Sequence, residues 1–245
     1  GFFRAPGFEK LADEIELALA ESDGVVMNSF LEMEPEYVAG YAAARKMKVW
    51  TIGPVSLYHQ HAATLAKRGN TTTAVDADEC LRWLQGKEPS TVVYVSFGSS
   101  VVHARPEQVV ETGLGLEASG HPFVWVLKNP DQYSEDVREF LQALEERVAG
   151  RGMLIRGWSP QVLILNHAAV GGFVTHCGWN STLESVGCGV PMLAWPLYAE
   201  QRMNALLLEQ KLGMALRVPP SREDGRCLVT RHEIAKAVKE LMEGD

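Results

Sequence analysis

The stretch GGFVTHCGWNSTLE, from Gly171 to Glu184, contains the pattern that decides the fold. Its first part, Gly172 to Thr175, is a short apolar run typical of a buried strand, and a helix is predicted from Ser181 to Val186. A polar turn with His176 and Gly178 separates the two. Strand, glycine-bearing turn and helix in this order are characteristic of parallel sheets with crossover helices.

The same alternation runs along most of the chain. Apolar runs predict strands at residues 24–28, 49–52, 92–97, 123–127, 153–155, 172–175, 192–194 and 214–218. Amphipathic stretches predict helices at residues 11–20, 35–44, 106–118, 134–148, 160–165, 181–186, 201–210 and 231–242. The predicted fold class is therefore α/β, a Rossmann-like doubly wound parallel sheet.

The alternation is interrupted after residue 56, where the sequence is polar and rich in threonine and has neither helical nor strand periodicity. We predict the end of one domain at residues 1–56, an interdomain linker at 57–80 and a main domain at 81–245. The first segment has only two predicted strands, so it is interpreted as the remnant of a domain.

Composition narrows the function classes. The chain has 245 residues, 46% of them hydrophobic, with a formal net charge of −8 and a pI near 5.4. An acidic chain without a basic patch is not expected to bind nucleic acid or an anionic membrane. Four widely spaced cysteines and no signal peptide at GFFRAPGFEK predict a cytoplasmic protein. The uncharged run from Gly157 to Leu183 contains proline, asparagine and several glycines, which favours a buried α/β core over a membrane span.

Three common motifs are present only in part. Gly113 to Ala118 matches G-x-G-x-x-A, but it ends a predicted helix and does not follow a strand, which argues against a dinucleotide site. Asp76-Ala77-Asp78 precedes a helical run and is better explained by helix capping than by a metal. His167, His176 and Cys177 lack a fourth ligand, so no metal site is predicted.

Glu184 allows two interpretations. Ser181 to Glu184 fits the S-x-x-E capping box at a helix start. Alternatively, Asn180 and Ser181 lie at a helix N-terminus that binds a diphosphate, and Glu184, one turn deeper, accepts hydrogen bonds from ribose hydroxyls.

Other predicted strands end in similar polar turns. Trp158 follows one strand and could stack on a planar base or be an ordinary core indole. Ser99 follows another, and Tyr198, Glu200 and Gln201 follow a third. Because the carboxyl ends of parallel strands share one edge, these turns predict a nucleotide-sugar cleft.

The segment WSPQVLILNHAAVGGFVTHCGWNSTLESVGCGVPMLAWPLYAEQ, from Trp158 to Gln201, resembles the 44-residue signature box of plant UDP-dependent glycosyltransferases of small molecules. VVMNSFLEMEP, VWTIGPV and VVYVSFGS are also similar to that family. The resemblance implies the C-terminal half of a GT-B fold without its final helices, preceded by the end of the acceptor domain. Ser159 and Glu200 stand at positions where alanine and aspartate are also common in the family.

The resemblance also implies the role of each site residue. Trp158 would stack on uracil, Gln161 would contact the uridine and Glu184 the ribose. The UDP-sugar site would comprise Ser99, Trp158, Gln161, His176, Gly178, Trp179, Asn180, Ser181, Glu184, Tyr198, Glu200 and Gln201. Glutamine at the final position implies glucose as the donor sugar.

The implied reaction is an inverting transfer of glucose to a hydroxyl of a small lipophilic plant metabolite, with no metal and no cofactor. The catalytic histidine and its aspartate partner are expected in the rest of the N-terminal domain, so this chain alone is expected to bind UDP-glucose without catalysing transfer. Two rival hypotheses are a non-catalytic nucleotide-sugar-binding module and a glycosidase that uses Glu184 and Glu200 as its carboxylate pair.

Overall fold

A computed structural model describes residues 9–58, 77–98, 105–128, 130–218 and 228–244. The chain divides into two compact units, residues Gly1–His59 and Gln60–Asp245. This division falls within the region predicted as a linker.

The first unit contains a two-stranded parallel sheet. Its elements are α1 (Glu9–Ala20), β1 (Gly24–Met27), α2 (Pro35–Arg45), β2 (Lys48–Thr51) and a 3₁₀ turn (Val55–Tyr58). The strands pair in register from Gly24 opposite Lys48 to Met27 opposite Thr51. Helix α2 begins with proline, whose fixed φ suits the first helical position.

The second unit is built on a six-stranded sheet among its described residues, and every neighbouring pair is parallel. Its strands are β3 (Val92–Ser96), β4 (Phe123–Leu127), β5 (Gly152–Arg156), β6 (Val170–Thr175), β7 (Met192–Ala194) and β8 (Ala215–Arg217). The predicted strands are all confirmed, with ends that differ by two residues at most.

Helices connect these strands. They are α3 (Ala77–Gln85), α4 (Pro106–Ser119), α5 (Glu135–Arg147), α6 (Gln161–Leu165), α7 (Trp179–Cys188), α8 (Gln201–Leu206) and α9 (Arg231–Glu243). The helix predicted at residues 201–210 is only partly α-helical, because it continues as a π-helix from Leu207 to Leu212. Helix α3 begins at Ala77, inside the segment that the sequence predicted to be linker, and buries Cys80 and Leu84.

The strand order is β5-β4-β3-β6-β7-β8. The chain starts in the middle at β3, moves outward to β5, returns to β6 beside β3, and then moves outward in the other direction. This is the doubly wound arrangement, whose ligands bind at the carboxyl edge where the direction reverses. Ser96 at the end of β3 pairs with Thr175 at the end of β6 and marks that point.

Both faces of the sheet are covered. Every residue of β3 and β4 is buried, which explains why their sequences are continuously apolar instead of alternating. One core contains Val93, Val95 and Trp125, and the other contains Tyr94 and Val126. Throughout the described ranges, no helix combines the length and the apolar character that a membrane crossing requires.

The two glycines of the dinucleotide-like motif are explained by helix packing. Gly113 and Gly115 lie inside α4, as expected, and not at a strand-to-helix turn. A Cβ on Gly115 would lie 2.7 Å from Ile234 of α9, and one on Gly113 would lie 2.8 Å from Leu144 of α5. The glycines therefore allow α4 to approach both neighbouring helices closely.

Candidate functional site

The candidate site lies at the carboxyl edge of the sheet, where β3 and β6 are adjacent. His176 follows β6 directly, and its imidazole packs against two glycines. Gly98, after β3, has φ +80°, and a Cβ there would lie 2.5 Å from Cε1 and 2.6 Å from Nε2 of His176. A Cβ on Gly178 would also collide with this ring. The imidazole thus occupies a space that exists because both neighbours lack a side chain.

The environment of His176 favours its neutral form. Burial lowers the pKa of this imidazole below its ordinary value, and the negative charge of Glu200 opposes the shift only in part. The buried Nδ1 atom has no hydrogen-bond partner among the residues that the structure describes. A neutral imidazole carries one N–H, so it can donate a hydrogen bond to an oxygen at this edge.

The backbone turns sharply at Cys177, which has φ +62° although it is not glycine. The turn is held by Asn204 of α8, whose Nδ2 donates to the Cys177 carbonyl oxygen at 2.9 Å. Burial raises the pKa of the Cys177 thiol to about 12, so it stays protonated. Cys177 therefore packs in the core, as expected, and is neither a nucleophile nor a thiolate ligand.

Helix α7 begins earlier than the sequence predicted. Gly178 is the N-cap, with φ −60° and ψ 143°, and its carbonyl accepts a hydrogen bond from the backbone N–H of Thr182. The helix therefore starts at Trp179 instead of Ser181, and the capping-box interpretation of Ser181 and Glu184 is wrong. The first-turn N–H groups of α7 and the helix dipole point to the edge where His176 lies, an arrangement that favours an anion.

Glu184 is held by a residue from another helix. Gln161, the first residue of α6, donates from Nε2 to Glu184 Oε2 at 2.8 Å and to Ser181 Oγ at 3.1 Å. The same amide accepts at Oε1 from the Tyr94 hydroxyl at 3.4 Å. The ligand contact of Gln161 stays a prediction, and what the structure gives this residue is the role of fixing the Glu184 carboxylate.

The turn after β7 contains the third group of predicted residues. Gln201 is buried, and its Oε1 accepts hydrogen bonds from the backbone N–H groups of Leu197 at 2.9 Å and Tyr198 at 3.1 Å. Two N–H donors identify the amide oxygen, so its nitrogen is the atom of Gln201 that can donate to a ligand hydroxyl. Tyr198 and Glu200 are exposed beside it.

The remaining predicted residues differ in how well they can be located. Trp158 is half-buried after β5, Trp179 is half-buried and Asn180 is exposed in the first turn of α7. Ser99 lies outside the described residues. Within the ranges that the structure covers, no three histidine, cysteine, aspartate or glutamate side chains gather as a metal site would require.

Sequence reasoning missed Tyr94 and Asn204 and noted Ser159 only as a variable position. Tyr94 is fully buried in β3, and its hydroxyl lies 2.9 Å from Ser159 Oγ. The available signal was a hydroxyl in the middle of the apolar run VVYVS, since a buried hydroxyl needs a partner.

Comparisons with known proteins show the family of the chain. A family model described as "UDP-glucoronosyl and UDP-glucosyl transferase" matches residues 70–245. UDP-glycosyltransferase 73D1 of Arabidopsis thaliana is 46% identical over 98% of this chain and 50% of its own length. The chain spans about half the length of the curated relatives it matches.

Solved structures give the same result. Phytolacca americana UGT2, complexed with UDP-2fluoro-glucose and pterostilbene, is 38% identical with a TM-score of 0.79 over 99% of this chain and 50% of that chain. Medicago truncatula UGT71G1, complexed with UDP-glucose, is 34% identical with a TM-score of 0.79 over 97% and 49%. The fold is that of one half of a GT-B plant glycosyltransferase, and the chain belongs to the UDP-glucoronosyl and UDP-glucosyl transferase family.

Proposed function

We propose that this chain forms the UDP-glucose-binding half of an inverting glycosyltransferase. The observation that carries the proposal is the meeting of three features at one sheet edge. They are the neutral His176 imidazole between two glycines, the N-terminus of α7, and the Glu184 carboxylate fixed by Gln161. Together they offer donors to an anion and an acceptor to a diol.

The diphosphate is proposed to bind at the start of α7. His176 would donate its N–H to a phosphate oxygen, and the backbone N–H groups of the first turn would do the same, together with Asn180, Ser181 and Ser99. Gly178 has no side chain, so the backbone can approach the phosphates closely. Trp179 would line this part of the site.

The nucleoside is proposed to bind beside α6. A carboxylate accepts hydrogen bonds and repels anions, so Glu184 suits the two ribose hydroxyls and not the phosphates. Trp158 would stack on uracil, and its half-buried position supports that role. Gln161 would reach the uridine from the same side.

The sugar is proposed to bind at the turn after β7. The Gln201 amide nitrogen would donate to one glucose hydroxyl, since its oxygen is used by the backbone of the same turn. Glu200 would accept from others, and Tyr198 would lie alongside. Glucose is the proposed donor sugar because glutamine ends the signature box.

The acceptor is proposed to be a hydroxyl of a small lipophilic plant metabolite. A related structure supports this class, since Phytolacca americana UGT2 is complexed with pterostilbene as well as with a UDP-sugar. We propose that the general base lies in the half of the full-length enzyme that this chain does not span. We further propose that transfer needs no metal or cofactor and takes place in the cytoplasm.

Titration calorimetry of the 245-residue chain with UDP and UDP-glucose, in the presence of EDTA, tests the donor site. We expect saturable binding that Glu184→Gln weakens about tenfold, because an amide replaces the acceptor of the ribose hydroxyls. Glu139→Gln, at an exposed position of α5, is the matched control and should bind as the unmodified chain does. Absence of binding by the folded chain would overturn the proposal.

Product analysis distinguishes the rival hypotheses. With a phenolic acceptor, no transfer is expected from this chain alone, and transfer is expected from a longer protein that also contains the acceptor half. A longer protein that binds UDP-glucose and never transfers would support the non-catalytic module. Release of glucose from a simple glucoside without UDP would support the glycosidase.

A further inference from the structure

Two buried hydroxyl groups and the Gln161 amide form a hydrogen-bonded series that leads from the centre of the sheet to Glu184. Tyr94 is fully buried in β3, where its ring stacks on Phe173 of β6 with centroids 5.0 Å apart. Burial raises the pKa of the Tyr94 hydroxyl well above its ordinary value, so it remains a donor. Its partners are Ser159 Oγ at 2.9 Å and Gln161 Oε1 at 3.4 Å, and it also interacts with the buried Ser96 hydroxyl.

The direction of each hydrogen bond follows from the chemistry of Glu184. An ionised carboxylate only accepts, so the Gln161 amide must present its nitrogen to Glu184 and its oxygen to Tyr94. Tyr94 then donates to Gln161, and the Ser159 hydroxyl can donate to Tyr94. The donors therefore run in one consistent order from Ser159 through Tyr94 and Gln161 to Glu184.

This order restricts the carboxylate. Gln161 Nε2 also donates to Ser181 Oγ at 3.1 Å, so its amide is held at both ends. An amide held in this way keeps Glu184 Oε2 at a defined position and so restricts rotation of the carboxylate. Discrimination against a ligand that lacks one hydroxyl is large only where the protein group facing that hydroxyl is fixed and cannot turn to another partner.

We propose that Tyr94 and Ser159 are positioning residues which act through Gln161 to hold Glu184 for recognition of both ribose hydroxyls, so that the site prefers ribonucleotides to 2′-deoxyribonucleotides. The proposal rests on the assignment of the ribose to Glu184 in the proposed function. Neither Tyr94 nor Ser159 touches the ligand in this scheme.

The free energy of unfolding and the preference for UDP over 2′-deoxy-UDP should respond differently to removal of these hydroxyls, so the two effects can be separated by experiment. Tyr94→Phe keeps the ring against Phe173 and leaves Ser159 Oγ without its partner, so it should lower both stability and selectivity. Adding Ser159→Ala to Tyr94→Phe removes the unpaired Ser159 hydroxyl, which should restore part of the lost stability. Selectivity should stay low in the double variant, because Gln161 still lacks its donor.

The experiment measures dissociation constants for UDP and 2′-deoxy-UDP by calorimetry, and unfolding in urea, for the 245-residue chain and for each variant. Ser119→Ala is the matched control, because it also removes a buried hydroxyl, bonded at 2.7 Å to the Leu116 carbonyl at the end of α4. We expect Tyr94→Phe and the double variant to reduce the preference for UDP about tenfold, and Ser119→Ala to leave it unchanged.

Two outcomes would overturn the inference. If the unmodified chain binds UDP and the preference is the same in every variant, Tyr94 and Ser159 support the core only, and the proposed function stands. If the preference of the double variant recovers together with its stability, the lost selectivity reflected general loosening and not positioning. A chain that does not bind UDP at all would instead refute the proposed function on which this inference rests.

Discussion

Replacing Gly98 with alanine would put a methyl group where the His176 imidazole lies. The new Cβ would be 2.5 Å from Cε1 and 2.6 Å from Nε2, whereas non-bonded carbon atoms pack at about 3.5 Å or more. The ring must therefore move by roughly 1 Å. A donor displaced by that much no longer reaches a phosphate oxygen within the range of a hydrogen bond.

The magnitude follows from two separate effects. Alanine at φ +80° costs about 1–2 kcal/mol of stability, because its Cβ approaches the following carbonyl. A lost hydrogen bond to a charged group costs about 1.5–3 kcal/mol, which corresponds to UDP binding weaker by about 10- to 150-fold. The first effect acts on folding and the second acts on the ligand.

Gly120→Ala separates these effects. Gly120 has φ +81°, nearly the same as Gly98, but a Cβ there meets nothing within 4 Å. It follows α4 near the amino end of β4, at the opposite edge of the sheet from the site. Gly98→Ala should lose at least as much stability as Gly120→Ala in urea unfolding, because its Cβ also displaces the ring, and only Gly98→Ala should weaken UDP binding in calorimetry. Equal dissociation constants for the two variants would refute the argument that His176 contacts the diphosphate.

Three further measurements test other parts of the structure. Asn204→Leu removes the buried donor to the carbonyl of the turn after His176 and should lower the free energy of unfolding by about 1–3 kcal/mol. Asn166→Leu, which removes a partly buried bond of the same 2.9 Å length at an exposed residue, should lower it less. Gly115→Ala should destabilise the folded chain by about 1–3 kcal/mol through overpacking against α9, whereas Gly40→Ala in α2, with open space around it, should stabilise the chain by about 0.5–1 kcal/mol. A gain in stability at both positions in urea unfolding would contradict the packing argument. Burial depresses the pKa of His176, so the unfolded chain takes up a proton as pH falls below about 6.5 while the folded imidazole resists protonation. The stability that this imidazole contributes above that pH is therefore lost below it, and the loss of stability between pH 7 and pH 5 should be smaller in His176→Asn. An equal loss in both proteins would show that the imidazole is not held neutral.

Local pattern was sufficient to locate the strands and most helices. The run FVWVL at Phe123–Leu127 is confirmed residue for residue, because a continuous apolar run bounded by turns has few alternatives as a strand in an α/β protein. Helix α4 was also accurately bounded, since Pro106 suits its first position and Gly120 suits its left-handed end. These signals lie within a few residues of the element they define.

Where contacts between distant residues decided the outcome, the sequence pattern misled. Serine is a common N-cap residue, but the Ser181 hydroxyl accepts a hydrogen bond from Gln161, twenty residues earlier, and Gly178 is the N-cap of the helix instead. Gln201 was predicted to be a site residue, yet no sequence signal indicated that its Oε1 holds the backbone at residues 197 and 198.

The sequence by itself determined the α/β class and the chemistry available at the strand ends, because strand and helix periods and turn residues are local properties of the chain. Only the tertiary structure decided that β3 lies beside β6, that Gly98 receives the His176 imidazole, and that Tyr94 reaches Gln161 and through it Glu184. Strand order and side-chain contacts of this kind depend on pairing and packing between residues far apart in the chain, which no window of local sequence contains.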